Sequence, residues 1–127
     1  MTKKILGIDY GQSRVGIAIA DSKIADPLRT VPADKSIKTI IKLIESHDIS
    51  DIVVGVSEGE TLENTKRYIE ELEGEINLPI HTQDETLSSY EVKEKLLITN
   101  KKKIKGSIDH FAAALILQDY IDENNIF

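Results

Sequence analysis

Cysteine is absent from the 127 residues, so neither a disulfide framework nor a thiolate metal site can exist, and any metal must sit on oxygen or imidazole. No apolar run reaches the roughly 20 residues of a membrane span or the shorter core of a signal peptide. The expectation is a cytoplasmic protein with no membrane partner. Positive charge is also short: 16 Lys and Arg stand against 22 Asp and Glu, for a net charge of −6. That balance excludes a broad basic coat for nucleic acid. It leaves room for an enzyme that positions its substrate through a few local phosphate contacts. The aromatics, four Tyr and two Phe, are scattered and form no stacking platform for single strands. There is no internal repeat or low-complexity tract. The length suits one domain over residues 1–127, enough for a sheet with helices and too short for two substantial lobes.

What is present is a clear alternation of patterns. Ile5-Leu6-Gly7-Ile8 is an apolar run ending in Asp9 and reads as a buried strand from Lys4 to Tyr10. Gly11-Gln12-Ser13-Arg14 supplies turn chemistry. Val15, Ile17 and Ile19 then alternate with Gly16, Ala18 and Ala20, a strand with one bulky and one small face. The small face invites close approach, by a packed helix in preference to a substrate backbone. A short strand through Leu28–Val31 is bounded by Pro27 and Pro32. Ile37, Ile40, Ile41 and Ile44 mark an amphipathic helix capped by Asp34 or Ser36. Asp51–Val56 reads as a buried parallel strand, and Leu62, Ile69, Leu72 and Ile76 as the next helix. Leu78–Asp84 is a strand with Pro79 at its first position, and Ser88 with Glu91 opens a helix through Val92, Leu96 and Leu97. A final helix carries Ile108, Phe111, Ala112, Leu115 and Ile121.

Three strands followed by helix–strand alternation imply an α/β fold, a mixed five-stranded sheet with its first three strands antiparallel and helices on both faces. That is the ribonuclease H-like arrangement.

Such a sheet brings three acids towards one crevice: Asp9 at the end of the first strand, Glu85 just past the last strand, and Asp109 in the first turn of the last helix. Converging carboxylates without counter-charge repel one another, and bound Mg²⁺ or Mn²⁺ is the economical explanation. An acid directly after a fully apolar run is an awkward strand terminator, so Asp9 reads as functional. Asp109 could instead complement the helix dipole beside an N-cap Ser107, and Glu85 with Asp84 could be a solvated loop pair. Spacing alone leaves those two open. His47, His81 and His110 are too far apart in sequence for a local motif; only His110, beside Asp109, is worth watching, and surface or packing roles are expected for all three.

The segment Gly7-Ile8-Asp9-Tyr10-Gly11-Gln12-Ser13-Arg14-Val15-Gly16-Ile17-Ala18-Ile19-Ala20-Asp21 resembles the opening motif of the YqgF (RuvX) family, roughly GIDyGxxRiGvAvsD. The likeness continues through Ile52-Val53-Val54-Gly55, through Asp84-Glu85-Thr86-Leu87-Ser88-Ser89, similar to DERLTT, and through Ile108-Asp109-His110-Phe111-Ala112-Ala113, similar to iDxxAA. Any one block is weak; in this order they span nearly the whole chain. The resemblance implies a ribonuclease H-like nuclease that processes the 5′ end of pre-16S ribosomal RNA, with Holliday-junction resolution on DNA as the alternative. It implies that Asp9, Glu85 and Asp109 hold the metal, with Asp9 central. It also implies that Arg14 contacts a phosphate or orients the carboxylates, beside the ordinary alternative of a structural salt bridge.

The chain departs from the family pattern at Thr86, where DERLTT has arginine, and at Val56-Ser57-Glu58-Gly59-Glu60, which replaces a longer, proline-containing loop. Lys101, Lys102, Lys103 and Lys105 form the only dense basic run, just before Asp109. They read either as a solvated loop or as a phosphate-tracking patch. Two other classes compete. A strand-Asp-x-Gly turn also opens the phosphate hairpin of actin-like ATPases, but a nucleotide clamp needs two lobes. A degenerate nuclease fold acting as a catalytically weak binding module is favoured by Thr86, the short loop and the acidic surface, and opposed by the presence of all three carboxylates. The expected partner is nucleic acid, RNA before DNA. No exposed apolar stripe marks a dimer face, so a monomer is expected before a homodimer.

Overall fold

The computed structural model describes residues 3–56, 62–84 and 108–127, with only the backbone at 108 and 109. The expected helix from Ser88 to Leu97 lies outside these residues, as do Thr86, Ser57–Glu60 and the lysine run.

Strands β1 (Ile5–Tyr10), β2 (Arg14–Ala20) and β3 (Asp26–Pro32) come first. Then follow α1 (Ala33–His47), β4 (Asp51–Val56), α2 (Leu62–Glu75), β5 (Ile80–Asp84) and α3 (Ile108–Asn124). The five strands form one sheet in the order β3-β2-β1-β4-β5. β1 pairs antiparallel with β2 and parallel with β4, β2 pairs antiparallel with β3, and β4 pairs parallel with β5. The mixed sheet is the one the element order implies.

Alternation along each strand splits the core in two. Leu6, Ile8, Val15, Ile17, Ile52 and Val54 pack with Ile40 and Leu43 of α1 and with Tyr68 and Leu72 of α2. Ile5, Ala18, Ala20 and Val53 pack with Ala113, Ile116, Leu117 and Ile121 of α3. Each fully buried Leu or Ile stabilises by about 1.5–3 kcal/mol relative to exposure. The small face of β2 receives a helix, as its residues suggest: α3 lies over it.

Three local expectations change. β3 runs the full length from Asp26 to Pro32 and includes both prolines. It is an edge strand, where a missing N–H costs no ladder bond on the open side. A register shift opposite Ile17 and Ala18 leaves Leu28 as the extra, bulged residue. α1 has Pro32 at its N-cap with no side-chain cap, so neither Asp34 nor Ser36 plays that role. Instead Ala33 donates its N–H to the Ser13 carbonyl at 2.9 Å. Ser36 sits one turn in, buried, donating to the Ala33 carbonyl at 2.7 Å and sharing a 2.6 Å hydrogen bond with the Tyr68 hydroxyl. Finally, α3 buries Ala112, Ala113, Ile116, Leu117 and Ile121, while Phe111 and Leu115 are only half-buried. The run Phe111–Leu117 is apolar all round, so periodicity cannot select the inward stripe.

Candidate active site

β1 carries Asp9 because its alternation sends Leu6, Ile8 and Tyr10 to one face and Ile5, Gly7 and Asp9 to the other. Tyr10 stacks on Tyr68 of α2 with ring centroids 4.4 Å apart, which holds the exit of the strand on the α2 side. Asp9 is left on the α3 side, half-buried.

The antiparallel register places Asp9 opposite Gly16, and Gly16 opposite Thr30. Gly16 has no side chain to fill the space between them. Thr30 Oγ1 and His110 Nδ1 share a 2.8 Å hydrogen bond, so the first turn of α3, whose backbone includes Asp109, is tied to this same row. A second contact brings the helix close. A Cβ on Gly7 would stand 2.7 Å from the Leu117 Cβ and 3.0 Å from the Ala113 carbonyl oxygen. A glycine at position 7 thus lets α3 lie directly on β1, two residues from Asp9.

β5 ends at Asp84, paired with Val56. Because β1, β4 and β5 are mutually parallel, their C-terminal ends share one sheet edge, and the chain leaves β5 at the edge where Asp9 stands. Glu85 itself, the next residue, lies outside the described residues, as do Lys101, Lys102, Lys103 and Lys105. Arg14 opens β2 opposite Pro32 and is exposed. Strand alternation puts it on the face of Gly16, two residues nearer the hairpin turn. In that turn a Cβ on Gly11 would lie 2.7 Å from the Arg14 carbonyl oxygen, so the tight path between Asp9 and Arg14 depends on glycine. Among the described residues no three His, Asp or Glu side chains gather to hold a metal. Of the three proposed ligands only the Asp9 side chain is among them.

A separate polar cluster occupies the opposite edge, where Asp51 pairs with Ile5, about 13 Å along β1 from Asp9. Asp51 is buried. It accepts from Ser50 Oγ at 2.7 Å, shares a 2.9 Å hydrogen bond with His81 Nε2, and lies 3.9 Å from Lys3 Nζ. Burial alone would raise its pKa, but the bonds from Ser50 and His81 and the Lys3 charge outweigh it and hold the carboxyl below its ordinary value. His81 packs against Tyr120, with centroids 5.3 Å apart. Its role is structural, as the sequence suggests. A cavity of about 190 Å³ lined by Lys4, Ile19, Asp21, Asp26 and His47 lies at this same remote edge.

The residue that the sequence does not reveal is Thr30; His110 stands out there only as the neighbour of Asp109. No local pattern marks Thr30, because its place beside Asp9 arises from pairing across three strands.

The element order and the mixed sheet define a ribonuclease H-like α/β domain. It resembles the structure of T. thermophilus RuvC in complex with a Holliday junction substrate, with a TM-score of 0.62 and 14% identity over 98% of each chain. It also resembles Fowlpox virus resolvase in complex with Holliday junction DNA, with a TM-score of 0.52 and 14% identity, covering 93% of this chain and 98% of that one. At such identities the likeness is one of fold. The chain belongs to the RuvX family, whose model, described as Holliday junction resolvase, matches residues 3–123. Among its relatives is a protein of Chloroflexus aurantiacus named "Putative pre-16S rRNA nuclease", 36% identical over 93% of this chain and 86% of its own length. A protein of Halothermothrix orenii with the same name is 34% identical over 96% of both.

Proposed function

We propose that this chain is a divalent-metal-dependent nuclease that hydrolyses phosphodiester bonds in RNA, acting in the 5′-end processing of pre-16S rRNA. The observation that carries the reading is the row Asp9–Gly16–Thr30 with the first turn of α3 tied to it, at the edge where β5 delivers the chain to Glu85. Asp9, Glu85 and Asp109 are the ligands of this reading, with Asp9 central. They supply oxygen donors only, the donor set that suits Mg²⁺ or Mn²⁺. When bound, such an ion supplies the Lewis acidity that lowers the pKa of water and steadies the leaving oxygen.

The chain's own residues do the rest. Asp9 sits on a strand buried on both faces, which fixes the backbone that carries its carboxylate. Arg14, on the same face and nearer the solvent, contacts a substrate phosphate. Lys101, Lys102, Lys103 and Lys105 track the backbone. RNA is preferred to DNA because the relatives that share a third of their residues with this chain are named for rRNA, whereas the junction-bound structures share only the fold. Among the described residues no helix is long and apolar enough to cross a membrane, and the protein acts as a cytoplasmic monomer.

The test incubates wild type and Asp9→Asn with end-labelled single-stranded RNA, single-stranded DNA, duplex and four-way junction, in Mg²⁺, Mn²⁺ or EDTA. Wild type cleaves RNA with either metal and not in EDTA, and Asp9→Asn cleaves nothing. Divalent ion raises the melting temperature of wild type and not of the variant, as linkage requires of a real site. Preferential cutting of the junction transfers the reading to resolution of DNA, in keeping with the family's description. No cleavage by folded wild type, with no metal-induced shift in melting, leaves a nucleic-acid-binding module.

A further inference from the structure

The edge strand β3 contributes no acid to the site, yet it is joined to the helix that does. Thr30 is paired with Gly16 and lies in the row of Asp9. Its hydroxyl reaches 2.8 Å to Nδ1 of His110, the residue after Asp109. The imidazole lies against the Phe111 ring, with centroids 5.0 Å apart and planes 28° from parallel, and both rings are half-buried. Farther along, α3 is held by Gln118, which accepts from the Ala25 N–H at 2.9 Å and donates to the Lys23 carbonyl at 2.7 Å; nearer its start it meets the sheet sterically, through the close approach of Ala113 and Leu117 to Gly7. Steric packing sets the distance of a helix from a sheet but leaves it free to slide or roll by fractions of an ångström. A directional hydrogen bond from a strand fixed in register removes that freedom. Ligand groups depend on such outer contacts for their orientation.

We propose that Thr30 and His110 form a positioning pair that locks the first turn of α3, and with it the Asp109 backbone, over the Asp9 row of the proposed metal site. The inference rests on the nuclease reading and adds to it two residues that contact neither metal nor substrate. The pair works through geometry: Thr30 transmits the register of the sheet, and His110 transmits it to the helix.

Four variants test the pair: Thr30→Val, which keeps shape and strand propensity but removes the hydroxyl; Thr30→Ser, which restores it; His110→Ala; and His110→Asn, whose amide places a hydrogen-bonding atom near the position of Nδ1. The measurements are kcat and KM on the cleaved RNA, and Mn²⁺ affinity without substrate, from the free-ion signal in electron paramagnetic resonance. Thr30→Val and His110→Ala each lose about 10- to 100-fold in kcat or in Mn²⁺ affinity, the range typical of groups that orient ligands. KM changes little, because substrate is held elsewhere. Thr30→Ser and His110→Asn recover most of the loss. The double variant Thr30→Val/His110→Ala is no worse than the poorer single one, since both remove the same contact.

A Thr30→Val protein with wild-type kcat and Mn²⁺ affinity overturns the pair, and so does a defect in His110→Ala that Thr30→Val does not share. Wild type that neither cleaves nor binds Mn²⁺ overturns the nuclease reading itself, and the pair with it. The two failures are thus told apart by the wild-type protein alone.

Discussion

Tyr68 shows what a single side chain does here. It is buried between α2 and β1, with Tyr10 stacked on its ring and Ser36 at its hydroxyl. Burial pushes its phenol up to about 12, the Ser36 hydrogen bond opposing and the charges of Tyr10 and Glu71 adding to the rise. A pKa raised in the folded state means that the neutral phenol is the stabilising form. Its contribution is complete below the ordinary value of 10.0 and is lost as pH rises from there through about 12. In an ultraviolet titration of tyrosinate, Tyr68→Phe is expected to remove an ionisation near 12. Its unfolding free energy should fall less steeply than that of wild type across that interval. At neutral pH the same substitution costs on the order of 1 kcal/mol, the net worth of one buried hydrogen bond. Sequence reading placed Leu72 on the inward face of α2 but not Tyr68, because the phenol is polar by composition and becomes core only when Ser36 and Tyr10 meet it. The capping role expected for Ser36 fails for the same reason: its hydroxyl is taken by the Ala33 carbonyl and by Tyr68.

At the level of elements, the proposed site depends on the docking of α3. Near its start the helix is pinned by close approach at Gly7 and by the Thr30 bond, both within two rows of Asp9, while Gln118 and Glu123 bond it to Ala25, Lys23 and Gln83 farther along. Gly7→Ala puts a methyl group against the Leu117 Cβ and the Ala113 carbonyl, neither of which a rotamer change can move. The expected outcome is a loss of about 1–3 kcal/mol of stability from overpacking, together with a fall in cleavage larger than that loss explains at temperatures where the variant stays folded. Denaturant unfolding and cleavage at one low temperature separate the two effects. An activity equal to wild type would show that the first turn of α3 tolerates displacement. Strand elements were well legible. β1 and β4 appear where their apolar runs stand, because a buried parallel strand needs a continuous β-branched stretch and little else imitates it. β3 exceeds the Leu28–Val31 that its sequence suggests, since proline forbids a central strand but not the edge strand this one proves to be.

Over the whole molecule, charge is the property to reconcile with a polyanionic substrate. A net charge of −6 repels nucleic acid at long range, so binding must come from a few local cations. If Lys101, Lys102, Lys103 and Lys105 each neutralise one phosphate, the logarithm of affinity for single-stranded RNA falls with the logarithm of salt at a slope steepened by about 3 through them. Replacing all four with glutamine should therefore flatten the measured slope by about that amount and leave kcat at saturating RNA near wild type. An unchanged slope would mark the run as a solvated loop.

Except for the helix expected from Ser88 to Leu97, which lies outside the described residues, the chain alone makes legible the order of elements, the mixed sheet, the helices on both faces and the family. These follow from periodicity, from apolar runs and from motifs read along one chain. It also singled out Asp9, since an acid at the end of a buried strand is conspicuous locally. The inward stripe of α3, the reach of β3, the placement of Tyr68 and the pairing of Thr30 with His110 were decided only by tertiary structure. Each is a relation between residues distant in the chain, Thr30 and His110 being 80 positions apart. The register of one strand against the next brings such residues together, and no local pattern encodes it.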